Sequence, residues 1–241
     1  MRVSVAFTPA EAPAADLAIA VDVLRASSSI CAALAGGFES VVCTTDVAAA
    51  RAAAADGARL AGERGCVRID GFDYGNSPAE LAAAGGGRRL VLTTTNGTRL
   101  LVAATARCER VLVGSLANLA AVAAAVRAEA PGEVAVLCAG VEGAFALDDA
   151  YCAGRLVQEL GGTPADSAVA AAALAAGFSS AAEALAASAS AENLRRVGLD
   201  ADVDWCARES TLAVVPVAAP RDGASVLVTA APATLPPEPG A

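Results

Sequence analysis

Apolar residues along the chain fall into short continuous runs: RVSVAF (2–7), LAIAVDV (17–23), ESVVCT (39–44), ARLAG (58–62), RLVLTT (89–94), RVLVG (110–114) and EVAVLCA (133–139). Runs of this length without strict alternation predict strands covered on both faces. Between them, alanine-rich stretches at 27–36, 46–56, 78–84, 97–105, 117–129 and 148–160 predict helices, because alanine is the strongest helix former. The alternation predicts an α/β fold: a layered α/β/α architecture with a largely parallel or mixed sheet and an Ala-rich helical C-terminal part. Past residue 163 the pattern changes to two or three Ala-rich helices running to about 208, then to the late apolar segments LAVVPV and ASVLVTA. This divides the chain into an α/β core (1–163) expected to carry the active site, a helical segment with closing strands (164–230) in the same or a closely packed subdomain, and a Pro-rich tail (231–241) expected to be disordered.

With 241 residues the chain can bury a substantial core. Its 56% hydrophobic content is swollen by alanine, and the most apolar stretch, SAVAAAALAAGF (167–178), is well short of the roughly 20 apolar residues a bilayer span needs. The N-terminus lacks the continuous apolar core of a signal peptide, so a cytoplasmic protein without a membrane partner is expected. Seven cysteines, an odd set without CxxC spacing and mostly inside apolar runs, predict reduced, buried thiols.

The charge pattern narrows the chemistry. The net charge is −9, all 17 basic residues are arginine, and no basic cluster exists to hold nucleic acid. Without histidine there is no Ser-His-Asp triad, histidine base or histidine metal ligand; without lysine there is no Schiff base and no Walker-type lysine. What remains is carboxylates, hydroxyls, thiols, arginines, backbone amides and a borrowed metal.

Those polar groups gather just after strands. VDVLRASSSI puts Asp22 and Arg25 at the end of an apolar run and three serines where a helix begins, a place suited to capping or to an anion. TTTNGTRLL (93–101) makes a polar turn before a helix, with Arg99 adding a donor suited to phosphate or sulfonate; an Asn-Gly turn with a threonine cap is the plainer account. CAGVEGAFALDDAYCAG (138–154) delivers Glu142, Asp148 and Asp149 near a helix start, where acids favour the helix dipole and also suit Mg²⁺. GERGCVRIDGFDYGNSP (62–78) packs five charged residues, four glycines and a proline into a span with no helical or strand period. Ligands of open α/β sheets bind beyond the carboxyl ends of strands, so these loops are expected to converge. Rival motifs are absent: Leu24 stands where a DxD pattern needs its second aspartate, and no cysteine has an arginine six positions on.

VDVLRASSSI, GERGCVRIDGFDYGNSP, LTTTNGTRLL, GSLAN and CAGVEGAFALDDAYCAG, in this order, resemble the 2-phosphosulfolactate phosphatase (ComB) family across residues 17–160. The resemblance implies an α/β, Mg²⁺-dependent phosphomonoester hydrolase that converts 2-phospho-3-sulfolactate to sulfolactate and phosphate, a step of coenzyme M biosynthesis. Because that substrate carries phosphate, sulfonate and carboxylate, Arg25, Arg64 and Arg99 are expected to meet its anionic groups, with Ser27, Asn76, Ser77 and Asn96 donating further hydrogen bonds. Asp22, Glu63, Asp73, Asp148 and Asp149 form the set for Mg²⁺ ligation, the first four also for acid, base or nucleophile work. A phosphatase for another small anionic phosphoester, and a non-catalytic anion-binding protein, are the alternatives; a homo-oligomer is left open, and Arg68 and Asp70 are assigned neither to the site nor away from it.

Overall fold

The computed structural model describes residues 1–54, 57–222 and 224–231. The tail expected to be disordered lies, apart from Ala231, outside the described residues. The strands are β1 (Arg2–Ala6), β2 (Leu17–Val21), β3 (Val41–Thr44), β4 (Arg59–Arg64), β5 (Val67–Arg68), β6 (Leu90–Thr93), β7 (Arg110–Gly114), β8 (Glu133–Cys138), β9 (Thr163–Pro164), β10 (Pro216–Asp222) and β11 (Ser225–Ala230). The helices are α1 (Ala26–Ala35), α2 (Val47–Ala53), α3 (Pro78–Ala82), α4 (Gly97–Thr105), α5 (Leu119–Glu129), α6 (Leu147–Leu160), α7 (Asp166–Ala176), α8 (Ala181–Ala186), α9 (Ala189–Arg196) and α10 (Asp200–Cys206). Every strand and helix expected in the first 160 residues is present, with ends moved by at most three residues.

One mixed sheet runs in the order β5-β4-β6-β3-β11-β10-β7-β2-β8-β1-β9. β4, β6 and β3 form one parallel block and β7, β2, β8, β1 and β9 another. The antiparallel hairpin β10–β11 joins them, β11 pairing with β3 and β10 with β7. Three antiparallel pairings in succession make the blocks run in opposite senses. Sheets twist from strand to strand, and the carboxyl ends of both blocks reach one cavity, that of β2 through Asp22, that of β8 through Val141 and that of β6 through Thr94.

Alternate residues of each strand feed opposite faces, as the pleat requires. Leu17, Ile19 and Val21 pack with Leu112, Val122, Val126, Leu156 and Leu160 on the α5–α6 side. Ala18 and Ala20 face Ile30 of α1 and Leu100 of α4 on the other. Val42 and Val91 turn away from that layer onto Ala50 of α2 and Phe72. α6 and α7 cross so closely that a Cβ on Gly154 would stand 2.1 Å from the Ala171 carbonyl, which explains a glycine inside a helix.

The polar span 62–78 is less irregular than its composition suggests. Glu63 pairs with Arg68 and Arg64 with Val67 around a two-residue turn. Gly65 and Cys66 both have positive φ, the hairpin geometry whose twist matches that of the flanking strands. Beyond residue 163 the described chain has four helices, not two or three. Of LAVVPV only Pro216 and Val217 are strand; the Leu212 amide first donates to the Ala117 carbonyl, and Asn118 Nδ2 donates to the Val214 carbonyl before the chain enters the sheet.

Candidate active site

β2 ends at Val21 and the chain turns at once into α1. The Asp22 carbonyl accepts from the amide and the hydroxyl of Ser27, each at 2.8 Å, while Ser27 Oγ accepts from the Asp22 amide at 3.2 Å. Ser27 thus closes the first turn and is buried there, off the cavity wall. Asp22 Oδ1 accepts from the amide of Ala26, at 3.2 Å, at the start of α1. α4 begins against the same carboxylate: a Cβ on Gly97 would lie 2.4 Å from Asp22 Oδ2 and 2.5 Å from the Ala26 Cβ. Two helix starts, each with its positive dipole end, therefore meet at one side chain.

This carboxyl opens onto a cavity of about 150 Å³ whose wall includes Leu24, Arg25, Glu63, Cys66 and Asn76, together with Thr94, Thr95 and Asn96 after β6, Val141 and Glu142 after β8, and Ser190 and Asn193 of α9. Burial pushes Asp22 up to about 7; the Ala26 and Gly97 amides oppose the shift, and the charges of Asp148 and Glu63 add to it. Asp148 is pushed up to about 6 by burial against the hydrogen bond from Ser190 Oγ, which it accepts at 2.9 Å. Asp149 is raised well above the usual carboxylate range by burial and by the charges of Asp148 and Asp22. Its two oxygens accept from the amides of Val23 and Gly140, each at 2.9 Å, tying the ends of β2 and β8 together.

Glu63 joins the hairpin to the loop after β6. Its Oε2 accepts from the Cys66 amide at 2.9 Å, and its Oε1 from the Thr95 amide and hydroxyl at 2.9 and 3.0 Å. Asn76 is 4% exposed, and its Oδ1 has no hydrogen-bond partner among the described residues. Asn96 Oδ1 accepts from the Glu142 amide at 3.3 Å, linking the loops after β6 and β8. Arg25 is the guanidinium on the wall, and its partner is Asp202 of α10, 2.7 Å away.

The remaining expected residues lie elsewhere. Arg64 donates to its neighbour's carbonyl, Glu63 O, at 2.6 Å and to Thr93 Oγ1 at 3.2 Å, outside the cavity wall. Arg99 is exposed on the outward side of α4. Ser77 caps α3 and donates to Asp202 at 2.5 Å, facing a neighbouring cavity of about 280 Å³ that shares Arg25, Cys66 and Asn76 with the first. Asp73 stands on the outer edge of the sheet, accepting from Arg59 and from the Leu60 amide. Arg68 donates to the Asp73 carbonyl, and the Asp70 carbonyl accepts from Arg51. Of the five residues of span 62–78 expected at the site, Glu63 and Asn76 meet at this cavity, and Arg64, Asp73 and Ser77 do not line it. Ser190, Asn193 and Asp202 went unforeseen; they sit in short amphipathic helices whose polar faces read as solvated surface.

Acids and helix-start amides gathered at the carboxyl ends of strands in a three-layer sheet define an α/β enzyme site for a small charged ligand. Residues 5–220 match the family described as 2-phosphosulpholactate phosphatase, and the chain belongs to that family. It is 41% identical over 233 residues to a probable 2-phosphosulfolactate phosphatase of Thermus thermophilus, covering 94% of this chain and 98% of that one. It is 40% identical over 223 residues to the 2-phosphosulfolactate phosphatase of Methanothermobacter thermautotrophicus, covering 92% and 94% of the two chains. A probable 2-phosphosulfolactate phosphatase of Gloeobacter violaceus is 41% identical over 224 residues, 90% of this chain and 94% of the relative. Among the described residues no helix is long and apolar enough to cross a membrane.

Proposed function

We propose that this chain is a Mg²⁺-dependent phosphomonoester hydrolase that converts 2-phosphosulfolactate to 3-sulfolactate and inorganic phosphate in the cytoplasm, as a step of coenzyme M biosynthesis. The observation that carries this reading is the charge balance of the cavity. Asp22, Glu63 and Glu142 line it and Asp148 stands behind Ser190, whereas the lining guanidinium, Arg25, is already matched by Asp202. Such a wall repels a phosphate ester unless a cation is present.

The residues fit Mg²⁺. Among the described residues no three carboxylates or thiols stand close enough to chelate an ion by themselves. Mg²⁺ does not require that; it takes one or two carboxylates and completes its shell with water and phosphate oxygens. Asp22 would hold it, because its carboxyl lines the cavity, with Asp148 near enough for its charge to act there; Asp149 is off the wall with its oxygens tied to the Val23 and Gly140 amides, and both Glu63 oxygens already brace the hairpin and the loop after β6. When bound, the ion supplies positive charge to the phosphoryl oxygens and to the attacking oxygen. The chain's own groups position the ester. Arg25 donates to an anionic group, Asn76, Asn96 and Asn193 offer amide groups along the wall, and Ser190 orients Asp148. Arg64 and Arg99 leave the binding of substrate charge to Arg25, the amides and the ion.

Phosphate release from 2-phosphosulfolactate is measured with Mg²⁺ and with chelator, beside a panel of other phosphomonoesters and the Asp22→Asn variant. Metal-dependent turnover that favours the sulfonate ester and collapses in the variant is expected. Turnover confined to other esters would move the substrate assignment, and no turnover on any ester would leave an anion-binding protein.

A further inference from the structure

Arg25 is 3% exposed, so the direction of its guanidinium decides whether it can serve a ligand in the cavity. Two of its donors are committed to protein: Nη1 donates to Asp202 Oδ2 at 2.7 Å and Nη2 to the Cys66 carbonyl at 3.0 Å. The acceptors come from α10 and from the tip of the β4–β5 hairpin, which together fix the plane of the group. Asp202 is itself 3% exposed, and its other oxygen accepts from Ser77 Oγ at 2.5 Å. The carboxylate is thereby anchored to the cap of α3, and among the described residues its ion-pair partner is Arg25.

We propose that Asp202 is a positioning residue of the active site: it holds Arg25 so that the N–H donors left over face the anionic group of the ligand. A guanidinium carries more donors than these two acceptors use, so binding by Arg25 and anchoring by Asp202 are compatible. Two effects of removing the Asp202 charge compete. The bare guanidinium would attract anions more strongly at long range, but it would also be free to turn onto Asp22 and Glu63, which share its cavity wall. At contact distance a carboxylate already in the wall outcompetes a ligand that must first be bound and ordered, so the loss of orientation wins. The proposal rests on the phosphatase reading only for what the anion is.

Inorganic phosphate, the expected product, is titrated calorimetrically in the presence of Mg²⁺ into the parent chain, Asp202→Asn, Arg25→Gln and the double variant. Asparagine keeps the shape and an acceptor for Ser77 but not the charge. Asp202→Asn is expected to weaken phosphate binding by at least about tenfold. In the Arg25→Gln background the same substitution is expected to change it by less than about twofold, because its effect runs through Arg25. In turnover the parallel result is a raised KM with kcat largely kept. If Asp202→Asn folds too poorly to titrate, Ser77→Ala, which loosens Asp202 without removing it, should give a smaller loss that also vanishes in the Arg25→Gln background. Equal losses in both backgrounds, undiminished binding in Asp202→Asn, or no phosphate binding by the parent chain would overturn the assignment. Phosphate binding with this coupling but without hydrolysis of any ester would support it and sink the phosphatase reading alone.

Discussion

Asp22 and Asp73 both stand in polar loops at strand ends, and the protein treats them in opposite ways. Asp22 lies where β2, α1 and α4 meet; burial and neighbouring carboxylates push it up to about 7. Asp73 lies on the outer edge of the sheet, where the Leu60 amide holds its carboxyl below the usual value, the effect of burial opposes this, and Arg59 adds to the lowering. Both are hydrogen-bonded to amides, so hydrogen bonding alone does not separate them. What separates them is how many strand ends close around the group and exclude water. A dense polar loop shows where the chain leaves the sheet; convergence of several such loops makes a site.

The largest effect is expected at Asp22. Asp22→Asn should lower kcat by about a thousandfold or more, in the range seen when a charge-stabilising or acid–base group is removed. In metal-free protein the same variant should melt higher than the parent, because it removes one of the like charges crowded around the cavity. A lower melting temperature with kcat intact would erase the contrast with Asp73. Next, Arg25→Gln should cost about 3–5 kcal/mol of stability by leaving Asp202 buried and unpaired, and adding Asp202→Asn should restore part of it; denaturant unfolding of the three variants checks both signs.

Gly97→Ala comes third. Its Cβ would press on Asp22 Oδ2 at 2.4 Å, so a loss of about 1–3 kcal/mol in stability should accompany a fall in activity. A variant with normal activity would mean that α4 can start elsewhere. Thiol labelling reads the same cavity without mutation. Burial raises the Cys66 thiol and pushes Cys31 and Cys43 up to about 12, and Cys66 is the one cysteine of the seven not buried. Native alkylation should therefore modify Cys66 first, and phosphate with Mg²⁺ should slow it. The smallest effect belongs to Asp73→Asn, less than about 1 kcal/mol because its pair with Arg59 is exposed. Since folding lowers the Asp73 pKa, its contribution is present above the ordinary value of 3.8 and disappears as pH falls through the lower folded value. Unfolding curves of parent and variant should thus coincide in strong acid and separate slightly at neutral pH.

Much of the fold was legible because continuous runs such as LAIAV and EVAVLC can be satisfied only by burial on both faces, and alanine-rich intervals between them favour helix. Asp22, Arg25, Glu63 and Asn96 stand just past such runs and Asn76 in the polar span after one, and the structure brings all five to one cavity wall. Arg64 and Arg99 are not brought there: whether a long side chain points toward a cavity depends on helix phase and on nearby acceptors, and Arg64 finds the Glu63 carbonyl and Thr93 first. Ser190, Asn193 and Asp202 carry no local mark, since a serine, an asparagine and an aspartate on short helices look like solvated surface until α9 and α10 dock.

From the sequence alone follow the α/β alternation, the absence of histidine and lysine chemistry, and the strand-end motifs that place the chain in its family, because each depends on short-range pattern or on residue types that are present or missing. Tertiary structure alone decides that the late hairpin β10–β11 joins the two parallel blocks, that their carboxyl ends meet, that Asp22 rather than Asp73 is desolvated, and that Arg25 is held by a carboxylate 177 residues away. The physical reason is that twist, burial and charge pairing are properties of groups brought together from distant segments, and no local window of the chain contains both partners.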